Sequence, residues 1–222
     1  MTANVKKVIQ MIYNSDIFDE EIYFVGGTAL SFYLNHRISE DIDIVSIKTL
    51  NHRKIISNMS ILGARKLQDE NITALRMAGL FPDEYMIKFT LSNVKLEFFQ
   101  ASRPIQKEIL SQSTFTNFEN SKLKILDLKS IAKLKLVALI MRDKSRDLFD
   151  FSSILENNVL NLVKVIELFN KVDNKIKSQE DIINFIKSKQ ETKDDEAVYL
   201  NETNRIDLDF EEIKDRVVKL LH

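Results

Sequence analysis

The 222-residue sequence predicts an α+β protein in which a mixed sheet with flanking helices is followed by a mostly helical C-terminal half. Two observations support this fold class. Up to about residue 100, short runs of β-branched and aromatic residues alternate with helical spacing. After Pro104, apolar residues recur every three or four positions, the spacing of a helix face. We therefore expect an α/β domain over residues 1–103 and a helical domain over residues 104–222.

The first half is predicted to alternate helices and strands. Apolar spacing indicates a helix within the first fourteen residues, and a β-favouring run at 22–25 indicates a strand that ends at a glycine pair. A helix is expected over 28–34 and a strand with one buried face over 41–45. A helix is then expected over 51–62, with further strands at 65–68, 72–77, 85–91 and 94–100.

The second half is predicted to be helical over 125–140, 148–155, 160–169, 182–186 and 210–221, with Asp127 as a plausible N-cap of the longest helix. If residues 135–150 form one continuous helix, three cations fall at nearly one angle, and three aspartates form a neighbouring stripe. Such a ridge suits a triphosphate. It is equally typical of a solvated helix face, on which Arg146 and Asp150, and also Asp143 and Asp147, are simply neighbours four residues apart. The cations are Lys135, Arg142 and Arg146, and the aspartates are Asp143, Asp147 and Asp150.

Composition excludes several classes of protein. Hydrophobic residues make up 44% of the chain and charged residues 29%, which is typical of a globular protein with a real core. No apolar run is long enough to span a membrane, and the N-terminus lacks a secretory signal. The absence of cysteine excludes disulfides and thiolate zinc sites, so we expect a cytoplasmic protein without a membrane partner. The net charge of -1 excludes a uniformly basic nucleic-acid coat but not a local basic groove.

A glycine pair and an aspartate pair suggest the chemistry. Only four glycines occur, and Gly26 and Gly27 stand where a strand turns into a helix, so their backbone N–H groups can receive a phosphate closely. Asp41 and Asp43 lie two apart on a strand, so both carboxylates project from one face and repel each other unless a cation lies between them. Mg²⁺ with substrate phosphates fits such a site. Each part also has a simpler interpretation, as a plain turn or as a solvated strand edge.

The order of these motifs resembles the signature of the AbiEii/AbiGii toxin family of nucleotidyltransferases, within the polymerase-β-like superfamily. The motifs are GGTAL at 26–30 and HRxSxDxD at 36–43. A second block, KLxAL at 135–139 followed by RxKxRDxxD at 142–150, is similar to a later motif of the family. The resemblance covers roughly residues 23–151, and the last seventy or so residues show no recognisable match.

The resemblance implies roles for particular residues in a nucleotidyltransferase fold. Asp41 and Asp43 would bind catalytic Mg²⁺. Glu97 is the candidate third metal carboxylate, and the alternative is that it is a solvent-facing strand residue. Lys135 would contact phosphate or base, and Asp147 would act as an acid–base or positioning group. The residues expected to bind the nucleotide are Gly26, Gly27, Thr28, Arg37, Ser39 and Arg146; Thr28 could instead only cap its helix, and Arg37 could instead pair with an acidic residue.

The implied function is transfer of a nucleoside monophosphate from an NTP to an acceptor hydroxyl, with RNA or tRNA as acceptor. The enzyme would be the toxin of a toxin–antitoxin or phage-defence system, with a cognate antitoxin. Two alternatives stay open: a small-molecule nucleotidyltransferase like those that modify aminoglycosides, and a non-catalytic nucleotide- or protein-binding module on the same fold. An RNA-modifying enzyme needs a basic surface beside its site. The residues that could supply it are Lys122, Lys124, Lys129, Lys133, Lys135, Arg142 and Lys144.

Overall fold

The computed structural model describes residues 1–68, 72–193, 195–201, 203–206 and 208–222. Within these residues, seven strands form one mixed sheet with flanking helices, which confirms the α+β class. The strands are β1 (Ile22–Val25), β2 (Ile42–Ser46), β3 (Arg65–Leu67), β4 (Met86–Leu91), β5 (Val94–Gln100), β6 (Phe115–Asn117) and β7 (Lys124–Leu126).

The strand order places β2 near the middle of the sheet. The order is β3-β4-β5-β2-β1-β7-β6, with β2 parallel to β5 and antiparallel to β1. Both central strands alternate, as predicted: Ile42, Ile44 and Leu96 are buried, whereas Asp43 and Glu97 are partly exposed. One face of these strands therefore builds the core, and the other presents carboxylates.

The α-helices of the described residues are α1 (Ala3–Ile12), α2 (Gly26–Leu34), α3 (His52–Ile61), α4 (Ile72–Met77), α5 (Pro104–Ser111), α6 (Leu128–Met141), α7 (Ser145–Glu156), α8 (Leu162–Val172), α9 (Gln179–Ser188) and α10 (Phe210–Leu221). The apolar spacing of α1 buries Val5, Val8 and Ile9, as the periodicity predicts. None of these helices combines the length and apolar character needed to cross a membrane.

Some local predictions were wrong. Residues 72–77 form helix α4, not a strand, and residues 125 and 126 belong to strand β7, not to a helix. The continuous helix considered for residues 135–150 does not form, because α6 ends at Met141 and α7 begins at Ser145. The glycine pair does not precede α2 but forms its first turn, beginning at Gly26. The interruption removes the predicted single ridge of cations.

Backbone contacts divide the chain into two compact units. The first comprises residues 1–29 and 39–127 and contains the sheet. The second comprises residues 30–38 and 128–222, where α7 packs on α6 and α10 around buried residues such as Leu136, Phe151 and Val217. Residues 104–127 thus group with the sheet by contacts. The predicted division into an α/β domain over residues 1–103 and a helical domain over residues 104–222 stays a prediction.

Candidate active site

The first unit brings carboxylates together on β2 and β5. Asp43 pairs in register with Glu97 on one side and with Val25, the last residue of β1, on the other. Asp41 directly precedes β2, and both aspartates are partly exposed. Neighbouring residues in sheet register project from the same face. The predicted metal residues Asp43 and Glu97 are therefore adjacent.

Gly26 lies against Asp43 so closely that no side chain fits. Its φ of +79° is in the left-handed region, and a Cβ atom built on it would lie 2.8 Å from the Cβ of Asp43. Next in α2, Thr28 is fully buried, and its hydroxyl donates a hydrogen bond to the backbone carbonyl of Asp41. The glycine turn is thus fastened to both aspartates, and the Thr28 hydroxyl serves this connection. Gly27 is buried in the same turn, and Ser39 is buried shortly before β2.

Two lysines hold the Glu97 carboxylate. Lys95 Nζ lies 2.5 Å and Lys88 Nζ 3.4 Å from Glu97 Oε1. Burial alone would raise the pKa of Glu97, but the two ammonium groups outweigh it and lower that pKa below its ordinary value. Glu97 is therefore an ionised carboxylate at neutral pH, and its charge is partly neutralised by side chains of the protein.

The sheet face that carries Asp41, Asp43 and Glu97, called the carboxylate face below, fits Mg²⁺ if the two aspartates are its protein ligands. Asp41 and Asp43 offer hard oxygen ligands beside a turn of backbone N–H groups, and Mg²⁺ is usually held by one or two carboxylates with phosphates and waters. In the part of the chain that the structure describes, no three His, Cys, Asp or Glu side chains are grouped to hold a metal ion. Glu97 contacts Lys95 and Lys88 in this arrangement.

Asp150 is the centre of a buried ionic cluster in the second unit. Arg37 Nε and Nη2 lie 2.6 Å and 3.0 Å from its two carboxylate oxygens. His36 Nε2 lies 2.7 Å and Lys135 Nζ 2.8 Å from the same carboxylate, which is fully buried. Burial alone would raise the pKa of Asp150. The charges of Arg37 and Lys135 outweigh burial, and the pKa of this carboxyl is held well below its usual range.

Lys135 bridges Asp150 to a second buried aspartate. Its Nζ lies 3.5 Å from Asp147 Oδ1, and its side chain is 10% exposed. Asp147 also binds the Arg142 guanidinium, with Nε at 2.5 Å and Nη2 at 3.1 Å from its two oxygens. Two predicted catalytic residues, Lys135 and Asp147, are thus brought together. Both are held in place by ion pairs.

The other charged residues of the second block take different partners from those of a continuous helix. Arg146 binds Glu196 at 2.7 Å, and Asp143 binds Lys189 at 2.6 Å. The i,i+4 pairs of the solvated-helix alternative, Arg146–Asp150 and Asp143–Asp147, are replaced by these longer-range contacts. Arg37, predicted either to bind phosphate or to pair with an acid, pairs with Asp150.

Asp150 and Lys95 were not among the predicted site residues. For Asp150, the available signal was its position in the Asp-x-x-Asp pattern on a helix. For Lys95, the two-residue spacing from Glu97 on a strand places the ammonium beside the carboxylate, and that spacing was the missed signal.

The sequence and the fold were compared with known proteins. A family model described as nucleotidyl transferase AbiEii toxin, type IV TA system, matches residues 12–218. The chain is similar to MenT4, a nucleotidyltransferase toxin of Mycobacterium tuberculosis H37Rv, with a TM-score of 0.57, 13% identity, and coverage of 99% of this chain and 84% of that one. A protein assigned to the nucleotidyltransferases from H. pylori gives a TM-score of 0.52 and 19% identity, covering 100% of this chain and 94% of that one.

A nucleotidyltransferase-like antigenic protein of Paracoccidioides brasiliensis gives a TM-score of 0.50 and 17% identity, covering 86% of this chain and 95% of that one. At these identities, the structural likeness shows the fold. The comparison with curated proteins finds no match. Because the family model spans almost the whole chain, the protein belongs to the AbiEii family of nucleotidyltransferase toxins of type IV toxin–antitoxin systems.

Proposed function

We propose that the enzyme transfers a nucleoside monophosphate from an NTP to an acceptor hydroxyl of RNA, with tRNA the expected class, and that the reaction depends on Mg²⁺. The observation that carries this proposal is the contact between Gly26 and Asp43, beside the register pair of Asp43 and Glu97. A phosphate-accepting turn is thereby fixed against carboxylates that suit a divalent cation. This is the minimum equipment for nucleotidyl transfer.

The chain's own residues would orient the reactants. Asp41 and Asp43 would hold the cation, and the backbone N–H groups at the start of α2 would receive the triphosphate. The acceptor oxygen would bond to the α-phosphorus as the bond to the leaving pyrophosphate breaks, and the hydroxyl proton would pass to a carboxylate of this face. When bound, the cation would lower the pKa of the acceptor hydroxyl and neutralise charge on the pyrophosphate. Positioning is the main contribution of the protein in this chemistry.

RNA is favoured as acceptor by the charge of the same sheet face. Arg65 on β3 pairs with Thr90 on β4, which pairs with Lys95 on β5. Lys88 lies on that face too, opposite Glu97. Three cations therefore extend from the carboxylates to the outermost strand, β3, where they would attract a phosphodiester backbone. A small-molecule acceptor would not need cations that far from the carboxylates.

A transfer assay tests the reaction and the acceptor together. Purified protein is incubated with each of four α-labelled NTPs, Mg²⁺ and bulk cellular RNA. We expect label in RNA with the wild type and its loss with Asp43→Asn, while Asp16→Asn, which removes a surface carboxylate paired with Lys122, retains activity. Full transfer by Asp43→Asn contradicts the metal assignment. No label in RNA from any NTP contradicts the RNA acceptor and directs the same assay to small molecules and proteins, and then to a binding role.

We also propose that the protein is the toxin partner of a cognate antitoxin and acts in the cytoplasm, with phage defence as its setting. Family membership supports this role. Expression of the wild type should slow bacterial growth, and Asp43→Asn should not. Co-expression of the gene next to its own should restore growth. Equal growth with the wild type and with Asp43→Asn would contradict toxicity through this site.

A further inference from the structure

We propose that Lys95 is a built-in counter-ion of the carboxylate face, and that a divalent cation acquires Glu97 as a ligand only by displacing the Lys95 ammonium. The inference rests on the proposed function, because it concerns the same cation site. It assigns Lys95 a positioning role: in the metal-free protein it holds the third carboxylate, and it thereby sets how tightly a free cation binds.

The contact geometry supports displacement. Lys95 Nζ lies 2.5 Å from Glu97 Oε1, so the ammonium and the carboxylate are in direct contact and form a charge-assisted hydrogen bond. Glu97 is the register neighbour of Asp43, so the ammonium is bound to the carboxylate that a cation shared with Asp43 would need.

The charges around Lys95 also indicate that its ammonium group and a divalent cation would compete for the same position. The Lys95 ammonium is bound to the Glu97 carboxylate and is also attracted by the negative charges of Asp41 and Asp43. A divalent cation entering the same field would meet a like charge at short range, and repulsion would drive Lys95 away.

Lys95 is able to leave because its side chain is 43% exposed. An exposed lysine loses little by exchanging a carboxylate for water. A nucleotide would offer the released ammonium an anionic partner, since its phosphates arrive together with the cation. The free protein should consequently bind a cation weakly, and removal of Lys95 should strengthen that binding without any nucleotide present.

The experiment measures Mn²⁺ affinity of the full chain without nucleotide, by electron paramagnetic resonance of the free ion. Because one partly exposed ion pair is removed, Lys95→Gln should bind Mn²⁺ about three- to fivefold more tightly than the wild type. Lys122→Gln is the matched control, because its side chain is 42% exposed and also binds two carboxylates, Asp16 and Asp19, in the same unit. Its Mn²⁺ affinity should equal that of the wild type.

A double-mutant cycle separates displacement from a general change of charge. If Lys95 acts through Glu97, then adding Lys95→Gln to Glu97→Gln should change Mn²⁺ affinity less than about twofold. Equal affinity of Lys95→Gln and the wild type overturns the inference. So does an undiminished effect of Lys95→Gln in the Glu97→Gln background, because the effect would then be general electrostatics.

Asp43→Asn distinguishes failure of this inference from failure of the proposed function. Loss of Mn²⁺ binding in Asp43→Asn, without tightening by Lys95→Gln, overturns only the role of Lys95. If Asp43→Asn binds Mn²⁺ as the wild type does, the cation is not held at this face, and both proposals fail.

Discussion

Asp43 and Asp150 are the same residue type, but their surroundings give them different tasks. Asp43 is partly exposed on a sheet face beside Gly26, where it can meet a ligand. Asp150 is fully buried and saturated by Arg37, His36 and Lys135. Sequence spacing identified the first, because Gly26 and the aspartate pair form a compact motif. It could not reveal the second, because Arg37 and Asp150 are 113 positions apart.

Gly26 should be irreplaceable for function but not for folding. Gly26→Ala forces a Cβ into the left-handed region, which costs about 1–2 kcal/mol, and pushes against Asp43. Gly63→Ala is the matched control, since Gly63 has the same φ of +79° but open space where a Cβ would go. Urea unfolding should show this backbone cost in both variants and a further loss of stability from the contact with Asp43 in Gly26→Ala, whereas Mn²⁺ binding should be lost in Gly26→Ala alone. Unchanged Mn²⁺ affinity in Gly26→Ala would contradict the role of the close contact.

Asp150 should be a stability residue with a defined pH dependence. Asp150→Asn leaves the Arg37 and Lys135 charges buried without their carboxylate, so the free energy of unfolding at pH 7 should fall by about 3–5 kcal/mol. Because the folded pKa of Asp150 is below the unfolded value of 3.8, its contribution is complete above that value and is lost as pH falls towards the folded pKa. The difference between variant and wild type should therefore narrow below about pH 4.

Urea unfolding between pH 7 and pH 3 measures this difference. Glu156→Gln is the control, because Glu156 pairs with Arg216 while 34% exposed, and its loss should cost no more than about 1 kcal/mol. A gap between Asp150→Asn and the wild type that stays constant down to pH 3 would show that Asp150 does not titrate as its ion pairs require.

Helix α4 and the break between α6 and α7 are two features that local sequence patterns did not predict correctly. Residues 72–77, which form helix α4, were predicted as a strand, although they include Ala74, Leu75 and Met77, which are strong helix formers. The break between α6 and α7 contains neither glycine nor proline. It coincides with contacts from distant residues: Lys189 Nζ donates to the Arg142 carbonyl at 3.0 Å and binds Asp143. Lys189 lies too far along the chain from Arg142 and Asp143 for a helix-length stretch of sequence to reveal these contacts.

The start of α7 depends on a distant cap. Lys144 supplies no side-chain cap, but the Asp195 carboxylate accepts from the Ser145 N–H at 3.1 Å and from the Ser145 hydroxyl. Asp195→Ala should destabilise the first turn of α7 by about 1 kcal/mol. Amide hydrogen exchange should then speed up at Arg146 and Asp147. Ser178→Ala, which removes the local cap of α9, is the control and should leave exchange in α7 unchanged; unchanged exchange in Asp195→Ala would contradict the distant cap.

For the whole molecule, the sequence predicted the α+β fold class and the carboxylate face, but it did not predict which residues belong to each of the two units. The class follows from local periodicity, and the face follows from alternation along β2 and β5. Residues 30–38 belong to the second unit, in which His36 and Arg37 form ion pairs with Asp150, and the register of Asp43 with Glu97 is set by strand pairing. Contacts between residues far apart in the sequence depend on packing, and sequence periodicity does not predict them.

Binding of NTP and binding of Mg²⁺ by the whole chain should depend on each other. A nucleotide whose phosphates need both the α2 turn and a cation should stabilise the protein only when both ligands are present. At an NTP concentration of about one hundred times Kd, the gain is about 2.7 kcal/mol, which for a chain of this size raises Tm by about 5–10 °C. Thermal unfolding should show that shift with NTP and Mg²⁺ together, little with either alone, and none in Asp41→Ala/Asp43→Ala. Equal shifts with and without Mg²⁺ would mean that the phosphates bind without the aspartates, whereas no shift under any condition would favour a protein-binding module.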